Sequence, residues 1–571
     1  MCLSVLAMQL WGAEPPNVAT GGAPDPNAAS SPATSPAPSA SPSASSEDLK
    51  QLRERIAKQE EEIKRLQQSV EEQRTILEKA VQSLPAQGTT QMVNAANASG
   101  APVKLVPALN VAYPHGGQNQ KETTNPSPSP LGISIGNTTF TPLGFMDMTF
   151  FARSTNLGSG IGTNFAGTPF NNVAAGHLSE TNFSAQNSRI GFRVDSTFMG
   201  AKVLGYLEAD FLFNNNAGSY QITSNSAGFR LRNYFVDVTK DGFEVLGGQD
   251  WSFLTPNRKG LSPIPSDIFY TQNMDTNYQA GLIWTRQPQF RFIAHPNENV
   301  AFGVSLENPQ QYIGGGGGAG TITIPSALNG ASGFAGEFQS GGSALGVPNL
   351  FPDIIFKVAV EGHPNEKTMH FEAAGMVRGF KDYVTLTTAP AIHGSHTAVG
   401  YAGEVNMNLQ LAKNFRLIEN AYASDGGGRY IFGIAPDLIV RPNGDISLLH
   451  SYSTVDGFEA QVTKNALLGM YYGGAYVARD VTFDPTAAGS TLARPVFAGY
   501  GQVGSGGTNN KYVQEITLDW VQTLWKNPNY GALSLINQYS YLFREPWYVA
   551  VPNPKQSHES LIYVNLRYTL P

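Results

Sequence analysis

A period-two alternation of polar and apolar residues runs through the C-terminal part of this chain and constrains its fold more than any other feature. In the segment "SRIGFRVD", Arg189 and Arg193 fall on one side of a strand, whereas Ile190, Phe192 and Val194 fall on the other. Segments of about ten residues with this pattern recur, and Gly, Asn, Pro and Asp turns separate them. A generous count gives roughly sixteen to eighteen strands, which is typical of porin-sized barrels.

Two kinds of protein use such strands. A soluble sheet buries its apolar side in a core, whereas a membrane barrel turns that side to lipid and its polar side to a pore. The connections favour the barrel, because tight turns such as "TKDG" and "LAKN" alternate with long Gly-rich segments. A soluble β-propeller is an alternative, but the chain lacks a blade-length repeat. We therefore predict an all-β transmembrane barrel of about 16 antiparallel strands, preceded by an N-terminal α-helical coiled coil.

Aromatic residues gather near the ends of the predicted strands, as the interfacial girdles of a membrane barrel require. After the extreme N-terminus the chain has no run of about 18 apolar residues, so no membrane helix is predicted. We expect the girdles to include Phe150, Phe151, Tyr471, Tyr472, Tyr539, Tyr541 and Phe543.

Composition divides the chain into five parts. Residues 1–13 look like the apolar part of a secretory signal, although the positively charged start is missing. Residues 14–45 are nearly all Ala, Pro, Ser, Gly and Thr and predict a disordered linker. Residues 46–85 predict a coiled-coil stalk, residues 86–137 a second linker, and residues 138–571 the barrel.

The coiled coil rests on a seven-residue repeat in a stretch rich in Glu, Lys, Arg and Gln. Ser45 and Asp48 form a capping box before it, and Pro85 ends the helix. β-branched residues at one seam position are compatible with three strands. A single solvated helix packed on a domain is the less favoured alternative. The seam residues are Leu49, Leu52, Ile56, Ile63, Leu66, Val70, Leu77 and Leu84.

Charge and motifs exclude several functions. The formal net charge of −7 argues against nucleic acid as a partner, because phosphate binding needs concentrated Lys and Arg. The sequence offers no Gly-rich phosphate loop and no recognisable nucleophile–His set, so we expect neither enzyme activity nor a cofactor. His393 and His396 are close enough to bind a metal, but a polar loop is the favoured interpretation and no metal site is predicted.

Several motifs, taken in their order, resemble those of the DcaP-like trimeric outer-membrane porins of Gram-negative bacteria. They are "SRIGFR", "KVLGYLEADF", "FRLRNYFVDV", "LGGQDWSFL", "RQPQFRF", "FPDIIFKVAVEG", "AAGMVRGF" and "SDGGGRY". The resemblance covers most of residues 45–571. It implies a homotrimer of about 16-stranded barrels in the lipid of the outer membrane, with the coiled coil in the periplasm. It also implies that small anionic solutes pass, dicarboxylates being the typical suggestion.

Arginines on the predicted strands are candidates for lining the pore. A guanidinium fork matches the two oxygens of a carboxylate, so a ladder of arginines would attract dicarboxylates. Glu208 and Asp210 also share one side of a strand, so wall ion pairs are the alternative role. The sequence does not decide whether Arg230 and Arg232 point inwards, because the polar Asn233 falls on the opposite side of the strand from them. The candidates are Arg189, Arg193, Arg230, Arg232, Arg286, Arg291 and Arg378.

One connection, "TPNRKGLSPIPSDIFYTQNMDTNYQAG", is too long for a hairpin and is rich in Pro, Asn and Asp. We assign it to the lumen, where it would narrow the pore and set its selectivity. Arg258 and Lys259 would then be constriction cations, and Asp267 an opposing anion. An external loop whose charges face water is the alternative.

The sequence as a whole predicts an outer-membrane porin, a passive diffusion channel for small hydrophilic solutes that prefers anions. The alternative is a structural or adhesive envelope protein, with a plugged barrel as its anchor. In that alternative the N-terminal stalk and its Ala/Pro/Ser tail reach across the periplasm and contact peptidoglycan.

Overall fold

The computed structural model of the protein describes Lys64 and residues 129–213, 227–268, 270–274, 277–316, 318–329, 334–339, 347–386, 392–505 and 507–571. Lys64 is exposed and helical. The predicted signal segment, both linkers up to residue 128 and the rest of the coiled coil lie outside the described residues. In the described ranges, no helix has the length and apolarity needed to span a membrane.

The described chain is dominated by strands, which we number in order. They are β1 Ile133–Ile135, β2 Thr138–Arg153, β3 Glu180–Ser184, β4 Arg189–Phe198, β5 Ala201–Phe213, β6 Gly228–Lys240, β7 Phe243–Trp251, β8 Arg286–Asn297, β9 Val300–Glu307, β10 Asp353–Gly362, β11 Met369–Leu386, β12 Ile392–Ala412, β13 Phe415–Asp425, β14 Leu438–Val440, β15 Ile446–Leu448, β16 His450–Thr463, β17 Ala466–Val477, β18 Asp480–Phe483, β19 Phe497–Tyr500, β20 Asn510–Asn527, β21 Gly531–Pro546 and β22 Ser557–Thr569. Two short helices are α1 Pro265–Ile268 and α2 Ser326–Asn329, and 3₁₀ turns cover Phe165–Gly167, Ala174–His177, Phe334–Glu337, Pro364–Glu366 and Gly428–Tyr430.

Sixteen of the described strands form one closed antiparallel barrel. Closure occurs at β2, which pairs along one edge with β4 and along the other with β22. The short strand β3 pairs with β2 beyond the end of β4, and β1 pairs with the start of β2. The pairs β14–β15 and β18–β19 form separate two-stranded sheets within long connections. The strand number agrees with the count that the alternating segments predict.

The connections alternate in length around the barrel. At one end, hairpins are tight, and in the turn between β6 and β7 both Asp241 (φ 50°) and Gly242 (φ 81°) have positive φ. Two such residues suit the right-handed twist of a two-residue hairpin. At the same end Ser129 Oγ donates a hydrogen bond to the Pro571 carbonyl oxygen (2.9 Å), so the described chain enters and leaves the barrel there. The other end carries the long connections.

Side chains alternate between the two faces of the wall as the sequence predicts. In β4, Arg189 and Arg193 are buried inside, whereas Ile190 and Phe192 are 37% and 45% exposed on the outside. The exposed apolar face is the one that a membrane barrel turns to lipid.

The prediction of an outer aromatic girdle is wrong for two residues. Phe151 and Tyr471 each lie on the inner face and are 1% exposed. Neighbouring residues of a strand point to opposite faces, so an adjacent aromatic pair cannot belong entirely to an outer girdle. Tyr539 and Tyr541 are exposed on the outside, as expected.

The interior of the barrel is largely filled. Residues from three long connections, 154–179, 252–285 and 426–437, join inward-facing wall residues such as Ile293 and Tyr563 in one buried apolar cluster. This filling brings a few side chains from distant parts of the sequence together.

Candidate functional site

The connection between β7 and β8 lies inside the barrel. Its backbone bonds to inward-facing carboxylates: Asn257 N–H donates to Glu372 (3.1 Å), and Ala280 N–H donates to Glu515 (2.8 Å). Glu372 is on β11 and Glu515 is on β20, so the described residues of 252–285 reach well-separated parts of the wall.

The three charged residues that the sequence assigns to a constriction lie near the start of this segment. The guanidinium of Arg258 makes a bidentate ion pair with Glu459 on β16, with N–O distances of 2.5 and 3.0 Å, and Nη2 also donates to the Tyr270 carbonyl oxygen (2.6 Å). Burial disfavours the charged guanidinium, but the Glu459 carboxylate outweighs it and raises the pKa of Arg258, so the side chain stays charged. Lys259 is exposed, and the half-buried Asp267 accepts the Arg258 backbone N–H at its carbonyl oxygen (2.6 Å).

A cluster of arginines and carboxylates joins β4, β5 and β6. Arg230 Nη2 lies 2.6 Å from Asp210, and Arg232 lies 2.7 Å from both Glu208 and Asp210. Arg189, fully buried, has its Nη1 3.5 Å from Glu208. These arginines therefore form ion pairs with acidic residues of the wall. The sequence analysis gives such wall ion pairs as the alternative to contact with solutes.

A β-bulge resolves the ambiguous faces of β6. Glu208 pairs with Asn233 and Ala209 pairs with Leu231, so Arg232 has no partner in the ladder. The extra residue shifts the alternation by one position, which lets both arginines and Asn233 point inwards.

Three of the remaining wall candidates, Arg193, Arg291 and Arg378, are also paired with acids. Each lies on the inner face and is nearly or fully buried. The pairs are Arg193 with Asp195 (2.6 Å), Arg291 with Asp250 (2.9 Å), and Arg378 with Asp353 (3.2 Å) and Asp437 (3.0 Å).

Two adjacent cavities lie where the long connections enter the barrel, with volumes of about 380 and 250 Å³. Trp284, Arg286 and Phe432 line both of them. Arg429 lines the larger cavity, and Arg230 and Arg232 line the smaller one. Among the described residues, the lining includes four arginines and no carboxylate.

Arg286 differs from the other wall arginines in its surroundings. Within the described parts of the chain, no carboxylate lies within 4.0 Å of its guanidinium. The guanidinium carbon instead lies 4.9 Å from the centre of the Trp251 ring, which is a cation–π contact. The sequence therefore names the right residue type here, but the structure distinguishes this arginine from its paired neighbours.

The sequence-based candidates omit most of the cavity lining, including Trp251, Trp284, Arg429 and Phe432. These four stand in "QDWSFL" and "LIWTR", at the two ends of the connection between β7 and β8, and in "GGRYIF", in the connection after β13. An aromatic residue next to an arginine near a strand end is a weak signal for them. Trp251 pairs with Arg286 across β7 and β8, which also brings Trp284 close, whereas Arg429 and Phe432 reach the cavities because residues 426–437 fold into the barrel.

No protein-family model and no curated protein sequence matches this chain. Among solved structures, the chain is similar to the outer-membrane channel DcaP of Acinetobacter baumannii, with a TM-score of 0.51 and 15% identity over 76% of this chain and 98% of that one. OmpT of Vibrio cholerae (TM-score 0.41, 8% identity, 77% and 99% covered) and an anion-selective porin from Comamonas acidovorans (0.41, 13%, 76% and 99%) are less similar. The likeness to DcaP shows that the chain has the fold of an outer-membrane channel, as the motifs suggest.

Proposed function

We propose that the protein is a porin of the outer membrane, through which small hydrophilic solutes diffuse passively, with a preference for anions such as dicarboxylates. The observation that carries the proposal is Arg286 in the lining of the two cavities, which forms no ion pair among the described residues. The other three arginines of the lining are paired with carboxylates outside it: Arg230 with Asp210, Arg232 with Glu208 and Asp210, and Arg429 with Asp353. The barrel, its exposed apolar outer face and its likeness to the DcaP channel support the location and the channel.

In this proposal Arg286 provides the main attraction for anions. Its charge is uncompensated by an ion pair among the described residues, and the aromatic rings of Trp251 and Trp284 exclude part of the water around it. A charge in such surroundings acts over a longer distance than one in bulk water. Arg230 and Arg232 border the same space and reinforce this field, although Asp210 moderates their charges.

The paired arginines have a different role in the proposal. Ion pairs with neighbouring Asp and Glu side chains stabilise the inner wall, and they involve Arg189, Arg193, Arg291 and Arg378. The ion pair of Arg258 with Glu459 fixes the inward connection to β16. Lys259, exposed beside Arg258, and Asp267 add charges along the connection.

We further propose that the coiled coil lies in the periplasm and holds three barrels together as a homotrimer. Deletion of residues 46–85 tests this directly. A fall in the mass of the detergent-solubilised protein from trimer to monomer is expected. An unchanged mass would mean that the barrel walls determine the assembly.

The channel is tested by reversal-potential measurement on purified protein in a planar bilayer under a salt gradient. We expect conductance in steps of three and a potential that favours anions. A preference for cations would contradict the role of Arg286.

The filled interior favours one second candidate, a structural envelope protein whose barrel serves as an anchor. This protein would show no conductance, and residues 14–85 alone would be retained by cell-wall material. Retention without conductance would replace the channel proposal, whereas conductance without retention would remove the anchor.

A further inference from the structure

A row of three tyrosines lies on the outer face, near the end of the barrel that carries the long connections. Tyr452 on β16, Tyr476 on β17 and Tyr512 on β20 stand directly opposite one another in the register. Their ring centres are 6.0 and 5.2 Å apart, so this tyrosine row occupies a single depth. Aromatic residues at such positions mark the boundary between the hydrocarbon and the headgroups of a membrane.

A β-bulge places a lysine just beyond this row. The register between β20 and β21 shifts between Asn510 and Tyr512, so Lys511 has no partner in the ladder. The extra residue lets Lys511 point outwards together with Tyr512. Its Nζ lies 5.1 Å from the centre of the Tyr512 ring and 5.0 Å from that of the Trp547 ring, which are cation–π contacts.

A second cation, Arg479, lies close to the same tryptophan. The half-buried ring of Trp547 is fixed to the end of β17, because its Nε1 donates to the Val477 carbonyl oxygen (2.9 Å). A Cβ atom on Gly501 would lie 2.9 Å from the Trp547 ring and 3.0 Å from Arg479 Cγ, so the ring and the stem of this exposed arginine are neighbours. The tryptophan therefore has one cation from β20 and one from the end of β17 beside it.

The two carboxylates of this region have other partners. Asp480, which follows Arg479 in the chain, pairs with Arg441 (3.1 Å), and Glu545 accepts a hydrogen bond from Gln556 (3.1 Å). In the ranges that the structure describes, no carboxylate lies within 4.0 Å of the charged group of either cation. The outer face therefore presents two positive charges that are not paired with an acid.

A phosphorylated lipid headgroup fits this pair of cations. Guanidinium and ammonium groups donate charge-assisted hydrogen bonds to phosphate oxygens. Long connections lie on the external side of outer-membrane barrels, so the site stands at the headgroups of the outer leaflet. We propose that Lys511 and Arg479 bind the phosphate group of a lipid in that leaflet. The inference rests on the proposed location in the outer membrane but not on conduction through the barrel.

The wall below the site favours a lipid over a free phosphate ion. Further along β20, toward the tight-turn end, Ile516 and Leu518 point outwards and are 45% and 49% exposed. Gln514, between these residues and Tyr512, accepts a hydrogen bond from Tyr472 Oη (2.8 Å), which satisfies its carbonyl oxygen. One molecule that joins a phosphate to acyl chains can therefore contact the cations, the tyrosine row and this apolar surface together.

Binding of lipid A to the purified full-length protein in detergent tests the inference, because this lipid carries both phosphate groups and acyl chains. Native mass spectrometry gives the affinity. The double variant Lys511→Gln with Arg479→Gln should weaken binding about tenfold to thirtyfold, since it removes both charges that attract the phosphate. Lipid A without its phosphate groups should bind the wild-type protein as weakly as intact lipid A binds the double variant. Inorganic phosphate at the same concentration should not displace intact lipid A.

Two single variants are matched controls. Lys511→Arg keeps the charge, and Lys555→Gln removes an exposed lysine from the connection between β21 and β22. Both should bind lipid A at least as tightly as the wild type, and heat-modifiable migration in gels confirms that each variant is folded. Equal affinity of the wild type and the double variant would overturn the proposal and mean that acyl chains alone or a second copy occupy this wall. An equal loss in Lys555→Gln, or displacement by inorganic phosphate, would also overturn it. Reversal potentials are a separate measurement, so none of these results decides the channel.

Discussion

Two arginines in the barrel interior, Arg286 and Arg258, face opposite electrostatic situations. Arg286 lies where the long connections enter, against Trp251, and no carboxylate of the described residues forms an ion pair with it. Arg258 lies on the inward connection, and Glu459 compensates its charge through two short contacts. The comparison teaches that the partner of an arginine, rather than the number of arginines, determines how a pore wall acts on a passing ion.

The physical reason is the range of the field. A bidentate guanidinium–carboxylate pair is nearly neutral from a few ångströms away, so it contributes mainly to structure. An uncompensated guanidinium in a narrow space with aromatic walls keeps its field, because little water screens it. We therefore expect changes around Arg286 to act on selectivity and changes around Arg258 to act first on stability.

The largest effect is expected from removing the inward connection itself. Replacement of residues 256–280 with a short Gly–Ser linker should raise single-channel conductance at least about twofold, because the segment occupies part of the cross-section through which ions move. Single-channel recording in a planar bilayer measures this. Heat-modifiable migration in gels serves as the control for a folded barrel, and unchanged conductance of a folded variant would mean that ions bypass the segment.

Reversal of the charge at the cavities should have the next largest effect. Arg286→Glu is expected to lower the anion-to-cation permeability ratio about fivefold to tenfold, equivalent to roughly 1 to 1.4 kcal/mol in the relative free energy of the two ions. Reversal potentials under a salt gradient give the ratio.

Arg286→Lys is the matched control, because it retains the charge and loses only the planar fork. It should keep the preference for anions and weaken discrimination between dicarboxylates and chloride. If Arg286→Glu left the permeability ratio unchanged, the distinction between the two arginines would fail.

Removal of the Glu459 carboxylate should make the surroundings of Arg258 resemble those of Arg286. Glu459→Gln removes the carboxylate that pairs with the buried guanidinium of Arg258, which should destabilise the barrel by about 3 kcal/mol. The released charge should also raise the preference for anions by about twofold or less. Thermal unfolding and reversal potentials measure the two effects, and the double variant Glu459→Gln with Arg258→Gln should reverse the change in selectivity.

The alternating pattern is enough to predict the barrel and the inner face of β4. Residues of a strand alternate by geometry alone, so Arg189 and Arg193 have one permitted side once Ile190 and Phe192 face lipid. The same rule leads to a wrong outer position for Phe151, because an aromatic pair near a strand end does not tell which member faces out. The local pattern therefore determines which face a side chain occupies only where apolar and polar residues alternate strictly.

Other parts of the site depend on contacts that a pattern cannot contain. The bulge at Arg232 depends on how β6 pairs with β5, and it puts two residues in succession on the inner face. The cavity lining combines Trp251, Trp284 and Phe432, and Phe432 meets the two tryptophans only because residues 426–437 fold into the barrel. The sequence identifies the arginines, whereas tertiary packing decides which of them has a carboxylate partner.

The smallest effect is expected at Arg193, and it offers the strictest check of the comparison. Its partner Asp195 is two residues away on the same strand, 2.6 Å from the guanidinium, so the pair is formed without help from distant parts of the chain. The double variant Arg193→Gln with Asp195→Asn removes both charges and should leave the permeability ratio unchanged, while thermal stability falls by no more than about 1 kcal/mol. A fall in anion preference as large as that of Arg286→Glu would show that a paired arginine acts on ions as strongly as an uncompensated one. Selectivity would then have to be assigned to the whole ladder of wall arginines rather than to the cavities.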